Sequence, residues 1–339
     1  MYVVRPADFS DLAPLERLAR ESGMGITNFP ANRERINDKI AASQRSFGST
    51  PQYIGDESYL FVLEELQSQT IVGTCSIDAM VGVETPFYNY RIDEVVHASP
   101  QLQIHNRIPA LFLCHDYSGT SRLSSLVIDS EHATRANIEL LSRSRLMFIA
   151  QHLERFTPKV FAEIRGESDQ KGHSPFWEAL GRHFFSMDFQ KADYLSGIRN
   201  KHFIAELMPR YPIYIPTLSE DAQDCIGVIH GDSENIAEVL LEEGFKFRDY
   251  VDIFDAGPCI EARVQDIKTV SSCIHGSACF EQSIDSNQQY LIATKDLKNF
   301  RVTISPAESN SFDLILPINL QEVLSISPGN AISWSKIKS

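Results

Sequence analysis

The spacing of apolar and polar residues divides the chain into two stretches of different rhythm. In the first, short β-branched or aromatic runs alternate with segments of helical period. "YVVRP" (2–6) predicts a strand, and "DFSDLAPLERLARES" (8–22) a helix entered through Ser10 or Asp11, with Leu12, Leu15 and Leu18 on one face and Gly23 and Gly25 as its stop. After a polar helical stretch around 31–46, "YLFVLEE" and "TIVGTCSIDAMVG" predict neighbouring strands joined by the turn "LQSQ", and "YNYRIDEVVHAS" and "ALFLCHDYSG" add further strand. "SSLVID" (124–129) then leads through a polar turn without glycine into a long helix, whose Ile138, Leu141, Phe148, Ile149, Leu153 and Phe156 form a stripe for packing on a sheet. "KVFAEIRG" (159–166) sets Val160, Ala162 and Ile164 against Glu163 and Arg165. "SPFWEALGRHF" predicts a helix, and "NIAEVLLEEGFKFRDYVDIFD" a helix broken at Gly244 before an aromatic strand.

From about residue 265 the helical period fades. "QYLIATKDL", "NFRVTISPA", "FDLILP" and "AISWSKI" are short strands between turn residues, with "INLQEVLSI" the exception. The expected architecture is α/β (α+β), with residues 1–262 as a mixed domain and residues 263–339 as a small β-barrel-like C-terminal domain. A chain of 339 residues is long enough for two such cores.

Charge narrows the classes of partner. A formal net charge of −14 opposes broad contact with nucleic acid or an anionic membrane, so any anionic ligand needs a local positive site. No apolar run approaches the roughly 20 residues of a membrane span, and "MYVVRPADFSD" lacks the parts of a signal peptide; the expectation is a cytoplasmic protein. Six cysteines without a framework spacing agree with a reducing compartment. "CIHGSAC" (273–279) reads as a loop with small buried thiols, and no metal site is expected.

The order strand, capped helix, two central strands, strand–turn–helix, strand and a helix ending in "EEGF" resembles the acyl-CoA N-acyltransferase fold known as GNAT. More narrowly, "GITNFPAN", "PFYNYR", "VVHAS", "SPFWEALGRHFFSMDF", "ADYLSG", "FIAELMPRYPIY", "LSEDAQDCIG" and "DIFDAGP", in this order between residues 25 and 258, resemble the arginine N-succinyltransferase family. The resemblance implies transfer of succinyl from succinyl-CoA to the α-amine of L-arginine, releasing CoA. It implies small-molecule substrates, succinyl-CoA as a co-substrate with no permanently bound cofactor, and a homo- or hetero-oligomer, since some members occur as paired subunits. It also assigns a proton donor to His230 in "IGVIHGDSEN" and a backbone contact to succinyl-CoA at Leu126. From the residues alone, His230 reads as a surface-loop histidine and Leu126 as a core strand residue.

GNAT enzymes bind the cofactor pyrophosphate on a turn of the form R/Q-x-x-G-x-G/A at a helix start. The matching residues here run from Ala133 to Ile138, with side chains at both glycine positions. Arg135, Ala136 and Asn137 are the candidates for cofactor binding; the competing expectation is one uninterrupted helix over 130–156, capped by Asp129 or Ser130, with no phosphate site. Glu163, Asp188 and Asp193 are candidates to recognise a guanidinium, and Arg91 or Arg165 a substrate carboxylate. Phe176, Trp177, Phe184, Phe185 and Phe189 read as core, and "RSR" (143–145) as an exposed helix face, with contact to the cofactor's distal phosphate as the alternative. Readings that stay open are a non-catalytic binding or regulatory subunit or sensor, a different acyl donor, and ornithine as acceptor.

Overall fold

The computed structural model describes residues 1–22, 29–169, 172–198, 206–310 and 312–337. The predicted helix stop at Gly23 and Gly25, the start of "GITNFPAN" and residues 203–205 of "FIAELMPRYPIY" lie outside them.

The strands β1 (Tyr2–Pro6), β2 (Ser58–Glu65), β3 (Thr70–Asp78), β4 (Asn89–Ser99), β5 (Ile104–Cys114), β6 (Ser121–Ile128), β7 (Lys159–Glu163), β8 (Ile213–Tyr214), β9 (Lys246–Val251) and β10 (Pro258–Arg263) form a sheet in the order 1-2-3-6-7-10-9-4-5-8. β6 and β7 run parallel, because a helix crosses over between them; their outer neighbours β3 and β10 are antiparallel to them.

Helices α1 (Leu12–Glu21) and α2 (Arg33–Gly48) cover one face, burying Leu15, Leu18, Ile36 and Ile40 against Leu60, Val62 and Val127. Asp11 stands at the N-cap of α1, one of the two expected positions, but its side chain makes no cap bond there. A short turn, Phe9–Asp11, precedes the helix, and Asp8 caps that turn in a capping box with Asp11. On the opposite face α3 (Arg135–Gln151) and the Glu234–Glu243 helix pack Leu141, Phe148, Ala237 and Leu240 onto Phe61, Leu63, Leu123 and Ala162. Each such large side chain contributes about 1.5–3 kcal/mol by leaving water.

The predicted stripe on α3 holds through Ile149, but the helix stops at Gln151 and Leu153 is exposed in the turn after it. Helix α3 is also enclosed on its outer side by the Glu234–Glu243 helix, the Lys268–Ser271 helix and the C-terminal strands. Arg143 is buried in this way beside Glu242 and Glu243, while Arg145 is buried on the side that faces the sheet, next to Cys75; "RSR" is not an exposed face. "SPFWEALGRHF" forms two short helices, Pro175–Ala179 and Gly181–Phe185, because Gly181 packs directly on the Trp177 ring. Phe176, Trp177, Phe185 and Phe189 are core, whereas Phe184 is exposed.

In the C-terminal stretch, β11 (Ile274–Glu281), β12 (Gln289–Thr294), β13 (Val302–Pro306), β14 (Glu308–Ser309), β15 (Asp313–Pro317) and β16 (Ala331–Lys336) surround their own core of Leu314, Leu316, Leu320 and Trp334. Their sheet joins the first one edge to edge, with Val302 of β13 opposite Val4 of β1. "CIHGSAC" is mostly the strand β11 rather than a loop, and Cys279 on it is exposed.

Candidate active site

β6 and β7 pair only through Ser121–Val160, Arg122–Phe161 and Leu123–Ala162. Beyond Leu123 they part, since β6 continues to Ile128 while the chain after β7 turns to β10, where the Ile164 N–H donates to the Pro258 carbonyl at 3.0 Å. In the opened segment β6 carries a bulge. Ser76 faces Ser124 and Thr74 faces Val127, so Ser125 and Leu126 share the single opposing residue Cys75. Ser125 takes the left-handed conformation, φ 53°, that accommodates the extra residue.

The fork opens into a cavity of about 760 Å³. Leu123 to Ser130 line one wall and Ala162 to Arg165 the other; α3 supplies Ile138 and Arg145, and the Glu234–Glu243 helix Ile236 and Leu240. Seven carboxylates also border it, Glu21, Asp129 and Glu131 together with Glu163, Asp232, Asp252 and Asp255.

Most charges here are engaged. Arg122 bonds Asp78 at 2.8 Å and Glu163 at 3.3 Å. Burial alone would raise the Asp78 carboxyl, but Arg122 and Lys39 outweigh it and hold Asp78 below the usual range. Arg165 donates to Ser168 Oγ at 3.0 Å and lies 3.7 Å from Asp232, while its buried Nε finds no partner among the described residues. Asp255 accepts the N–H groups of Gly166 and Gly257, each at 2.8 Å; burial, with Asp252 nearby, pushes its carboxyl well up.

His230 begins the turn Gly231–Ser233 that leads into the Glu234–Glu243 helix. Its backbone N–H donates to the Arg165 carbonyl at 2.9 Å, and its Nδ1 accepts the Asp232 N–H at 3.2 Å. An accepting Nδ1 leaves Nε2 as the nitrogen that carries the proton in the neutral ring. The cavity lining includes Arg165, Asp232 and Ser233 but not His230 itself.

The start of α3 follows neither expectation completely. Asp129 caps a separate turn, Ser130–His132, and Thr134 restarts the helix by accepting the Asn137 N–H at 3.3 Å, so the helix is not continuous from residue 130. Arg135 does not reach the cavity: three glutamates hold it, Glu139 at 3.0 Å, Glu238 at 2.9 Å and Glu242 at 2.7 Å. The Asn137 side chain is turned back onto the His132 carbonyl, and Ala133 and Ile138 face the cavity instead. What the turn offers is backbone. The N–H groups of Arg135 and Ala136 have no partner among the described residues.

Arg91 lies on β4 beside Asp93 and Asp116, away from the lining; Asp188 accepts the Lys191 N–H at the start of the Phe189–Ile198 helix, and Asp193 is buried. Of the carboxylate and arginine candidates, Glu163 and Arg165 meet in the cavity. Sequence reading missed Asp252 and Asp255, and placed Arg145 on an exposed face rather than in the cavity. For Arg145 a signal existed, because position 145 falls on the stripe through Ile138, Leu141, Phe148 and Ile149.

A parallel strand pair that forks over a cavity, with a bulge on one arm and a helix start at its mouth, is the framework of a GNAT-like acyltransferase. A family model described as the arginine N-succinyltransferase beta subunit matches residues 2–269. The chain is 42% identical to the arginine N-succinyltransferase subunit beta of Pseudomonas aeruginosa, covering 97% of this chain and 96% of that protein. It is 40% identical to subunit alpha of the same organism, covering 98% of each. The solved structure of the arginine/ornithine succinyltransferase subunit AI of Pseudomonas aeruginosa superposes with a TM-score of 0.93 at 37% identity, covering 100% of this chain and 99% of that one. The chain belongs to the arginine N-succinyltransferase family of acyltransferases. Among the described residues no helix is long and apolar enough to cross a membrane.

Proposed function

We propose that the chain transfers the succinyl group of succinyl-CoA to the α-amine of L-arginine. The observation that carries this reading is the fork between β6 and β7, whose bulged arm borders one cavity together with a set of carboxylates that includes Glu163 and Asp252. The donor lies along the fork with its pyrophosphate at the open N–H groups of Arg135 and Ala136. The thioester carbonyl lies against the backbone at Leu126, where an N–H stabilises the oxygen as it becomes negative.

The acceptor amine attacks the carbonyl carbon, the C–N bond forms, and the C–S bond breaks. The proton lost by the nitrogen is balanced by one gained by the CoA thiolate; His230 delivers it through Nε2 as the imidazolium, with its Nδ1–H toward the Asp232 carboxylate 3.5 Å away, and is left as the neutral ring. Glu163, with Asp252, gives the acceptor's cationic end its complement, and Arg165 its carboxylate. Arg91 and Asp188 have no part in this arrangement. The same proposal includes a cytoplasmic protein working as a homo- or hetero-oligomer; its relatives are named as subunits and its six cysteines are unpaired.

The test is thiol release from succinyl-CoA with L-arginine, with ornithine and with no amine. Release that requires arginine supports the proposal. Release with ornithine alone changes the acceptor, and no release from the folded chain moves the reading to a binding subunit.

A further inference from the structure

Arg145 is the one cation on the cavity lining without a carboxylate beside it among the described residues. Arg17 binds Glu21 and Asp129, and Arg165 stands by Asp232. Arg145 is 2% exposed, and neither its Nε nor its Nη2 has a hydrogen-bond partner among the described residues. The one titratable group beside it among these residues is the buried Cys75 thiol, which burial keeps protonated and so without charge. A buried guanidinium without a counter-charge is costly, and folding offers no reason to keep it in place of a methionine or leucine. A bound anion supplies the reason.

Position along the cavity says which part of the donor supplies that anion. Arg145 lies ten residues beyond the start of α3, about 15 Å along the helix at its ordinary rise, too far to share the phosphates at Arg135 and Ala136. It lies beside Cys75, the residue of β3 that stands opposite Ser125 and Leu126 of the bulge. Leu126 packs toward the core that α3 covers, the side on which Arg145 meets Cys75, so an acyl chain continuing inward from a carbonyl at Leu126 comes within reach of Arg145.

We propose that Arg145 binds the free carboxylate at the far end of the acyl chain, and so makes the cavity selective for a donor with a terminal carboxylate. This rests on the reading of the fork as the donor groove. A planar guanidinium presents paired N–H donors to a carboxylate, and a neutral acyl chain leaves them unmatched in an apolar surround. Acceptor-side arginines are not needed for this task.

The experiment separates the two readings by measuring binding without amine. Succinyl-CoA and butyryl-CoA, in which a methyl group replaces the carboxylate, are titrated calorimetrically into the wild type, Arg145→Gln and Arg145→Lys; thiol release with L-arginine is assayed in parallel. The wild type should prefer succinyl-CoA by roughly 100-fold, the loss usual when one member of a buried charge pair is missing. Arg145→Gln should abolish that preference, and Arg145→Lys, keeping the cation, should retain part of it. Arg145→Met, neutral and similar in length, replaces Gln if that variant does not fold. Equal wild-type affinity for both donors, or an equal loss for both in the variants, overturns the assignment. A binding preference that depends on Arg145 without arginine-dependent thiol release would keep the assignment and sink the proposed reaction.

Discussion

Gly166 and Gly257 stand backbone to backbone at the edge of the cavity, with the Asp255 carboxylate accepting the N–H of both. A Cβ on Gly166 would lie 2.6 Å from the Gly257 nitrogen, and one on Gly257 would meet the Ile164 carbonyl. This contact fixes where the chain after β7 passes the loop before β10, and so where Arg165 and Asp255 meet the cavity.

Gly257→Ala should therefore lower stability by about 2–3 kcal/mol, since the neighbours that must move are backbone. Thermal or urea unfolding checks this. An unchanged melting temperature would mean that the two loops have room to separate.

His230→Ala should reduce kcat by 10²–10⁴-fold, the range of a general acid–base group, with the fold intact. Steady-state thiol release with circular dichroism measures both. Full activity in the folded variant would remove His230 from proton transfer.

The three glutamates around Arg135 make a contrasting case. Arg135→Ala should change the KM for succinyl-CoA by no more than about threefold, because its charge is already engaged and exposed pairs of this kind contribute only about 0.2–1 kcal/mol each. A tenfold or greater rise in KM would show that the guanidinium leaves the glutamates for the cofactor.

His152 gives the protein a pH dependence. Its ring packs on Phe148 with centroids 4.7 Å apart, and its buried Nε2 has no partner among the described residues. Burial lowers its pKa to about 4; Glu154 opposes the shift, and Arg155 and Lys295 add to it. The unfolded chain, with the ordinary value of about 6.5, binds the proton more readily. Stability is therefore full above that value and falls as pH drops from about 6.5 toward 4. His152→Gln should flatten this part of a stability-against-pH curve; an unaltered slope would assign it to other groups.

The fold was legible wherever one period dominated. The strands 2–6 and 159–166 and the helix beginning near 135 follow from alternation and helical spacing, which a half-buried element must show. Where burial came from a second layer, the pattern misled. "RSR" reads as surface on a helix packed on one side, but the Glu234–Glu243 helix covers Arg143 on the other, and a local window does not contain it. The site divided in the same way. Glu163 and Arg165 sit on one alternating strand and could be nominated together, whereas Asp252 and Asp255 reach the cavity only through the contact of Gly166 with Gly257, nearly a hundred positions apart. The turn after β6 was judged by its missing glycines. Its backbone donors depend on Thr134 interrupting the helix, a capping choice that residue types suggest but do not decide.

The pairing of Val4 with Val302 sets an order of events during synthesis. β1 is among the first segments to leave the ribosome and meets β2 after some fifty residues, yet its other edge waits for a strand made at the opposite end of the chain. Until then the nascent sheet presents an open strand and α3 lacks part of its cover, both of which invite pairing with another chain. The last quarter of the sequence thus acts as a closing clasp, and a chain released before residue 302 should be found in aggregates or held by chaperones rather than as a smaller folded enzyme.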